Sequence, residues 1–387
     1  MEHHIIELLL KISCILIISK LAGGISRKLG QPAVLGELIA GLIIGPSILG
    51  IFKIDESLRA IAQIGVIMLM FIVGMETDLK EMRKVGKVAT LVAIGGVTLP
   101  LFLGIGLGYY FEYNLSESMF IGVVLTATSV SITAQTLIEL GKLRTKEGMT
   151  ILGAALIDDI IVIIILSLVI GFSGGKASSV NIWIILLKMS IFFAVSIYVG
   201  MKLIPWLLSK LTKIPVSEVL LATIIALCLF YSWAAESLGN VATITGAYIA
   251  GVIVGRSVFR EEVETKFHAI TYSFFAPIFF VSIGMETQIQ SIVGKLVLFT
   301  ILIVIMAIIG KVIGCGLPAK IAGFSIKESL RVGVGMMSRG EVALIVCSIA
   351  LASGILNKDV FSVIIIMILV TTLATPILLK CLFRKVE

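Results

Sequence analysis

The sequence predicts an all-α protein that crosses a membrane many times. Hydrophobic residues make up 58% of the 387 residues and charged residues only 14%, whereas about 25% of the residues in an average soluble domain are charged. The mean hydropathy is +1.14. A helix needs about 20 mostly apolar residues to cross a bilayer, and the chain offers such segments repeatedly. These observations exclude an ordinary soluble protein.

Polar residues divide the chain into thirteen apolar segments, which we interpret as transmembrane helices. The first segment lacks the basic n-region and the small-residue cleavage site of a signal peptide, so we expect it to be retained. The segments lie at approximately 5–22, 31–49, 58–76, 87–110, 115–139, 148–172, 181–208, 216–236, 240–256, 267–285, 293–319, 326–353 and 358–382.

Lysine and arginine are distributed unequally between the loops. Alternate loops of a thirteen-span protein lie on the same side, and the cytoplasmic loops carry the excess of Lys and Arg. One set of loops, with the C-terminal end, holds twenty of these residues, and the other set holds five. We therefore expect the N-terminus outside and the C-terminus in the cytoplasm. Topology accounts for the net charge of +7, and nucleic acid is not an expected partner.

Two pairs of segments indicate an internal duplication. "LGELIAGLIIGPS" at 35–47 resembles "ITGAYIAGVIVGRS" at 244–257, and "FIVGMETDL" at 71–79 resembles "FVSIGMETQI" at 280–289. Both pairs are displaced by 210 residues, which carries each span onto the span seven places later. Because seven is odd, corresponding helices run in opposite directions. The sequence therefore predicts two inverted six-helix repeats around a linking helix at 181–208, an arrangement found in secondary transporters.

Two segments are poor continuous helices. "TATSVSITA" at 126–134 is rich in hydroxyl side chains, which compete with the helix for hydrogen bonds, and "VGVGMMSRGE" at 332–341 contains three glycines. The repeat displacement places Thr128 on Ser338 and Ser129 on Arg339. We predict two discontinuous crossing helices, whose free carbonyls and half-helix dipoles suit a desolvated cation. The alternative is that small and hydroxyl residues only allow close packing.

Adjacent carboxylates interrupt the sixth apolar segment, "GAALIDDIIVIIILSLVI" at 153–170. An ionised Asp at the centre of a membrane helix costs roughly 2.5 to 3.5 kcal/mol on insertion scales. Neighbouring residues of a helix point about 100° apart, so one of Asp158 and Asp159 can bind an ion while the other pairs with a cationic side chain. Lys311 in "AIIGKVIGCG" is the candidate partner. A purely structural ion pair would leave the second carboxylate unexplained.

This pair of carboxylates predicts exchange of protons for a cation. Carboxylates in a poorly solvated site repel each other, which favours protonation of one of them, and a hard alkali cation competes for the same oxygens. If Asp159 and the Asp158/Lys311 pair each exchange one proton per cation, one net charge moves in each cycle and exchange is electrogenic.

Other classes of protein fit less well. The five cysteines show no metal-ligand spacing, no cofactor motif is present, and no nucleophile with a placed base suggests an enzyme. His268 is expected in a cytoplasmic loop. A sodium-coupled organic-anion symporter would need a second basic constellation for its substrate, and a cation channel would need no titrating pair.

The chain resembles the monovalent cation:proton antiporter-2 family, which contains the Asp-Asp sodium/proton antiporters and the glutathione-gated potassium efflux carriers. Within it, the opening "GQPAVLGELIAGLIIGPS" is similar to the spore-germination sodium/proton-potassium antiporters of bacilli. The resemblance covers essentially the whole chain. Its motifs are "GQPAVLGE", "FIVGMETDL", "TATSVSITAQTLIELG", "ILGAALIDDI", "FFAPIFFVSIGM", "IGKVIG" and "GVGMMSRGEVALI".

The resemblance implies roles for the polar residues. Asp159 would be the principal carrier of Na⁺ or K⁺ and of the proton, and Asp158 would pair with Lys311 when the site is empty. Thr128 and Ser129 would lie beside the ion at the broken fifth span.

Two further residues of the broken twelfth span, Arg339 and Glu341, would complete a core polar network by the same resemblance. The potassium efflux carriers have Gln-Asp in place of Asp158-Asp159, and they commonly carry a cytoplasmic nucleotide-binding domain. We expect no such domain here, because the chain stops at Glu387. Selectivity for Na⁺ over K⁺ is left open.

The resemblance also implies a functional division and a homodimer. Residues 5–49 and 216–256 would form a dimerisation part, and residues 58–172 and 267–382 would form the core that moves as a carrier. The linking helix at 181–208 would join the two halves.

Overall fold

The computed structural model describes residues 2–29, 31–77, 79–172, 182–211, 214–286, 295–352 and 355–383. The regular elements in these ranges are helices. The first eight are α1 (Glu2–Lys28), α2 (Ala33–Ile44), α3 (Glu56–Glu76), α4 (Leu79–Tyr110), α5 (Leu115–Thr126), α6 (Val130–Glu139), α7 (Lys146–Phe172) and α8 (Ile182–Leu211). The others are α9 (Val219–Ser237), α10 (Thr243–Val254), α11 (Arg260–Ile270), α12 (Ala276–Glu286), α13 (Lys295–Ile321), α14 (Ile326–Gly335), α15 (Glu341–Ala352) and α16 (Lys358–Phe383).

Each predicted apolar segment overlaps at least one of these helices. Within the described ranges, nine helical segments are long and apolar enough to cross a membrane, and α2 and α10 are shorter apolar helices. The prediction of an all-α, polytopic membrane protein is confirmed.

The start of the tenth span differs from the prediction. We expected it at about residue 267 and assigned His268 to a cytoplasmic loop, but α11 begins at Arg260 and a π-helical turn joins it to α12. His268 therefore lies inside a helix, and the loop prediction is wrong. Charged residues at the start of α11 pair along the helix, as Lys266 Nζ and Glu262 Oε1 do at 3.2 Å. Such pairs stabilise an exposed helical turn, so charge alone did not mark the boundary.

The chain forms two compact units. Unit 1 comprises Met1–Leu21, Ile54–Leu79 and Asn181–Ser282, and unit 2 comprises Ala22–Lys53, Lys80–Val180 and Ile283–Glu387. These units differ from the predicted functional division, because α2 groups with unit 2 and α3 with unit 1. The division into a dimerisation part and a moving core stays a prediction.

A close helix crossing lies inside unit 1, where α3 meets α10. Gly74 lies directly on the backbone of α10: a Cβ atom there would collide with the carbonyl oxygen of Tyr248 and lie 3.1 Å from the Cα of Gly251. The crossing therefore depends on the missing side chain of Gly74.

Unit 2 contains an equivalent crossing between α12 and α2. A Cβ atom on Gly284 would collide with the carbonyl oxygen of Leu38 and lie 2.8 Å from the Cα of Gly41. Each of these three residues is displaced by 210 positions from its counterpart in unit 1. The repeated motif thus makes the same backbone contact twice, which supports the duplication.

Candidate ion-binding site

Helix α7 carries the two adjacent carboxylates near its middle. The helix runs unbroken from Lys146 to Phe172, so both Asp158 and Asp159 are held on a regular backbone. Asp158 is fully buried and Asp159 is 2% exposed. Because α7 is otherwise strongly apolar, the burial of these side chains requires compensating partners.

Lys311 of α13 supplies one such partner. Its Nζ lies 3.0 Å from Asp158 Oδ1, and both side chains are fully buried. The second carboxylate oxygen, Asp158 Oδ2, accepts no hydrogen bond from the residues that the structure describes. A buried carboxylate oxygen without a donor is costly, so Oδ2 is chemically suited to receive a proton or a cation.

Gly96 of α4 makes room for this ion pair. A Cβ atom on Gly96 would collide with Cys315 Sγ and would lie 3.5 Å from Lys311 Nζ. Sequence reasoning missed Gly96, although the adjacent glycines "GG" in an apolar helix were a signal of close packing.

The two predicted interruptions are present in the chain and meet inside unit 2. Helix α5 ends at Thr126 and α6 begins at Val130, whereas α14 ends at Gly335 and α15 begins at Glu341. The Ser129 N–H donates to the Ser338 carbonyl at 2.9 Å. In return, Ser338 Oγ donates to the Ser129 carbonyl at 2.7 Å.

Thr128 lies within the first interruption and connects it to the ion pair. Its side chain is 2% exposed, and its hydroxyl donates to the Thr126 carbonyl at 3.5 Å. Thr128 also interacts with the Asp158 carboxylate. The first interruption and the carboxylate of α7 therefore belong to one site.

Arg339 binds backbone carbonyls at this site. The guanidinium is fully buried and donates to the carbonyls of Leu125 at 2.7 Å, Met337 at 3.1 Å and Ala307 at 3.3 Å. Leu125 lies in the last turn of α5, where helix carbonyls lack intrahelical partners and carry partial negative charge. Arg339 thus neutralises a helix end.

The predicted partner of Arg339 in the polar network, Glu341, is the first residue of α15, and its side chain lies outside what the structure describes. A different residue supports Arg339: Thr372 Oγ1 of α16 donates to the Arg339 carbonyl at 2.5 Å. Sequence reasoning missed Thr372, whose only signal was the pair of adjacent threonines in an apolar helix.

Comparison with known proteins places these features in a family. Residues 14–385 match the family model described as "Sodium/hydrogen exchanger, transmembrane". The solved structures of the sodium proton antiporter MjNhaP1 from Methanocaldococcus jannaschii share the fold. One has a TM-score of 0.76 at 18% identity, and the alignment covers 97% of this chain and 96% of that chain.

Curated relatives match almost over their full length. The probable Na⁺/H⁺ antiporter GerT of Bacillus cereus is 44% identical over 95% of this chain and 97% of its own length. The Na⁺/H⁺-K⁺ antiporter GerN of the same organism is 41% identical, covering 97% of this chain and 96% of its own length. A Na⁺/H⁺ antiporter of Enterococcus hirae is 36% identical over 97% of this chain and 98% of its own length. The chain belongs to the sodium/hydrogen exchanger family.

Proposed function

We propose that this protein exchanges Na⁺ for H⁺ across the bacterial cell membrane by alternating access, with K⁺ as the candidate second cation. One observation carries the proposal: a fully buried Asp158–Lys311 ion pair lies next in sequence to a second buried carboxylate, Asp159. The names of GerT and GerN, as antiporters of Na⁺ and H⁺ and in one case also of K⁺, support the same activity.

The exchange follows from competition for carboxylate oxygens. In the empty protein, Lys311 neutralises Asp158, and Asp159 holds a proton or releases it to the open side. An entering cation binds the oxygens of Asp159, with Thr128 and Ser129 beside it. Protons and the cation exclude each other because both need the same lone pairs. Exchange results when the site changes its opening from one side of the membrane to the other only with a proton or a cation bound.

The same two groups set the charge that moves. If Asp159 and the Asp158/Lys311 pair each release one proton for every cation, one net charge crosses per cycle. A potential of 100 mV then contributes about 2.3 kcal/mol to each cycle. We therefore propose electrogenic exchange.

The finer architecture belongs to this proposal. It has thirteen spans arranged as two inverted six-helix repeats, an outside N-terminus and a cytoplasmic C-terminus, and it works as a homodimer. The repeated backbone contacts at Gly74 and Gly284 support the duplication, and the unequal distribution of Lys and Arg supports the orientation. The homodimer rests on the family resemblance.

Three alternatives make different predictions. A K⁺-selective efflux antiporter would show the same exchange with K⁺ alone. A cation channel would conduct without moving protons, and a sodium-coupled organic-anion symporter would require its organic ligand. The buried titratable pair favours exchange over the last two.

Purified protein in proteoliposomes with an internal pH dye tests the proposal. An imposed Na⁺ or K⁺ gradient is expected to move protons in the opposite direction, and Asp159→Asn is expected to abolish this movement because an amide cannot ionise. Asp359→Asn, which alters an exposed Asp at the start of α16, is the matched control and should leave exchange unchanged. Near wild-type exchange by Asp159→Asn would overturn the role of that residue, and cation flux without proton movement would overturn antiport.

A further inference from the structure

Two buried hydroxyl groups outside the proposed ion-binding set connect the two chain interruptions. Thr133 of α6 and Ser338 between α14 and α15 are both fully buried. Thr133 Oγ1 donates to the Gly335 carbonyl at 2.7 Å and lies 2.9 Å from Ser338 Oγ. Ser338 Oγ lies 2.7 Å from the Ser129 carbonyl oxygen. The contacts form one chain of oxygens that runs from α14 to the start of α6.

The supply of hydrogen atoms couples the two hydroxyls. Each hydroxyl has one hydrogen to donate, but the chain contains three oxygen-to-oxygen contacts. If Thr133 donates to Gly335 and Ser338 donates to Ser129, no hydrogen lies between the two hydroxyls. If either hydroxyl donates to the other, one of the two carbonyls loses its donor. Because the orientation of one hydroxyl decides which contacts the other can make, Thr133 and Ser338 act as a unit.

The two carbonyls at the ends of this chain differ in their need for a donor. Ser129 is the N-cap residue of α6, and an N-cap carbonyl also accepts the first hydrogen bond of its helix. Gly335 is the last residue of α14, where helix carbonyls lack intrahelical partners. Loss of the Thr133 hydroxyl therefore leaves the Gly335 carbonyl without its donor, whereas loss of the Ser338 hydroxyl leaves the Ser129 carbonyl with its helical donor.

The unit also holds the first interruption in place. Ser338 binds both backbone groups of Ser129. Its carbonyl accepts from the Ser129 N–H, and its hydroxyl donates to the Ser129 carbonyl. Ser129 directly follows Thr128, whose side chain interacts with Asp158. A shift of Ser129 would therefore move Thr128 relative to the carboxylate.

We propose that Thr133 and Ser338 are positioning residues that set the cation affinity by fixing residues 127–129 against Asp158. The inference rests on the proposed cation/proton exchange, which it deepens. Neither residue needs to touch the cation, because Ser338 holds the backbone of Ser129 and Thr133 holds Ser338 and the carbonyl of Gly335.

Thr133→Val tests the inference because valine keeps the side-chain shape and removes the hydroxyl. Partners one step removed from a bound metal ion typically contribute 10- to 100-fold to affinity. We expect the KM for Na⁺ in proteoliposomes to rise about tenfold, while kcat changes by less than about twofold. Thr133→Ser restores the hydroxyl and should restore the KM. Ser338→Ala should raise the KM less, because the Ser129 carbonyl keeps its helical donor.

The matched control is Thr136→Val in the same helix. Thr136 is also fully buried, but its hydroxyl donates to the Ile132 carbonyl one turn earlier in α6 at 2.8 Å. A lowered kcat with unchanged KM in Thr133→Val, or the same KM change in Thr136→Val, would show a merely structural role and overturn the inference. In the Thr133→Val/Ser338→Ala double variant, KM should rise by a smaller factor than the product of the factors by which it rises in the two single variants.

A second measurement separates the inference from the proposed function. Na⁺ that binds the folded protein raises its thermal stability by mass action, so a melting series in NaCl against choline chloride gives an apparent Kd without transport. Thr133→Val should raise this Kd about tenfold. An unchanged Kd overturns the inference even if the wild type exchanges ions. A raised Kd in a protein whose wild type moves no protons supports the inference and contradicts the proposed exchange.

Discussion

The residue that most constrains this site is Lys311, because it offsets the burial of Asp158. Removal of one partner from a buried ion pair typically costs about 3–5 kcal/mol, since the other charge is left uncompensated. At low pH the carboxylate can take up a proton instead of a counter-charge, which removes most of that cost. The pair therefore links stability to pH and to bound cation.

Lys311→Gln is expected to lower the melting temperature of the empty protein, and the loss should become smaller as the pH is lowered, because protonation neutralises the Asp158 carboxylate that has lost its partner. Added Na⁺ should recover part of the loss by binding the Asp158 carboxylate that has lost its partner. Differential scanning fluorimetry in detergent measures both effects. The control Lys320→Gln removes an exposed lysine from the last turn of the same helix. A pH-independent loss equal to that of the control would contradict the ion pair.

Gly96 makes a second prediction at this scale. Gly96→Ala places a Cβ against Cys315 Sγ beside Lys311, and overpacking of this kind typically costs about 1–3 kcal/mol. The melting temperature should fall, and Cys315→Ala in the same chain should restore most of it by removing the sulfur. Gly106→Ala in the same helix is the control, because a Cβ there meets nothing within 4 Å. Equal losses in Gly96→Ala and Gly106→Ala would argue against the tight packing.

At the scale of helices, the repeated motif contributes a backbone crossing in each unit. In unit 1, α3 approaches α10 at Gly74, and in unit 2, α12 approaches α2 at Gly284. Small residues allow membrane helices to approach this closely, and the contact stabilises them through van der Waals packing. The motif "GME" thus serves packing through its glycine in both copies.

Gly74→Ala and Gly284→Ala should destabilise the protein to a similar extent, because each new Cβ meets a backbone carbonyl that cannot rotate away. Melting temperature and the yield of monodisperse protein in detergent measure the effect. Gly86→Ala in α4, where a Cβ has nothing within 4 Å, should behave like the wild type. Tolerance of both substitutions would show that the crossings are looser than described.

At the scale of the whole molecule, the proposed mechanism predicts how much net charge crosses the membrane in each transport cycle. Two protons leave for each monovalent cation that enters if both Asp159 and the Asp158/Lys311 pair titrate in the cycle. We expect Na⁺ or K⁺ gradients to produce transient currents on a solid-supported membrane, and the ion that produces them identifies the transported cation. Asp158→Gln combined with Lys311→Gln should reduce the charge moved per cycle. Turnover without any charge displacement would overturn electrogenic exchange.

Sequence alone determined the class of the molecule. Composition identified the bilayer as solvent, apolar segments located the helices, and the motifs around Asp158 and Asp159 identified the exchanger family, which the comparisons confirm. These features are local, because hydropathy and motif identity are read over short windows. Helix boundaries were less certain, as the charged first turns of α11 show, because pairing along a helix can stabilise residues that resemble a loop.

Tertiary structure decided which side chains meet. Asp158 and Lys311 are 153 residues apart in the chain, and only packing sets their separation and leaves one carboxylate oxygen without a described donor. The same holds for the carbonyls bound by Arg339, for Gly96, and for the Thr133–Ser338 unit. Residue types record which groups can donate, accept or carry charge, but distances between remote segments arise only when helices pack. The sequence therefore predicted which chemical groups this site contains, but it did not predict the distances between them.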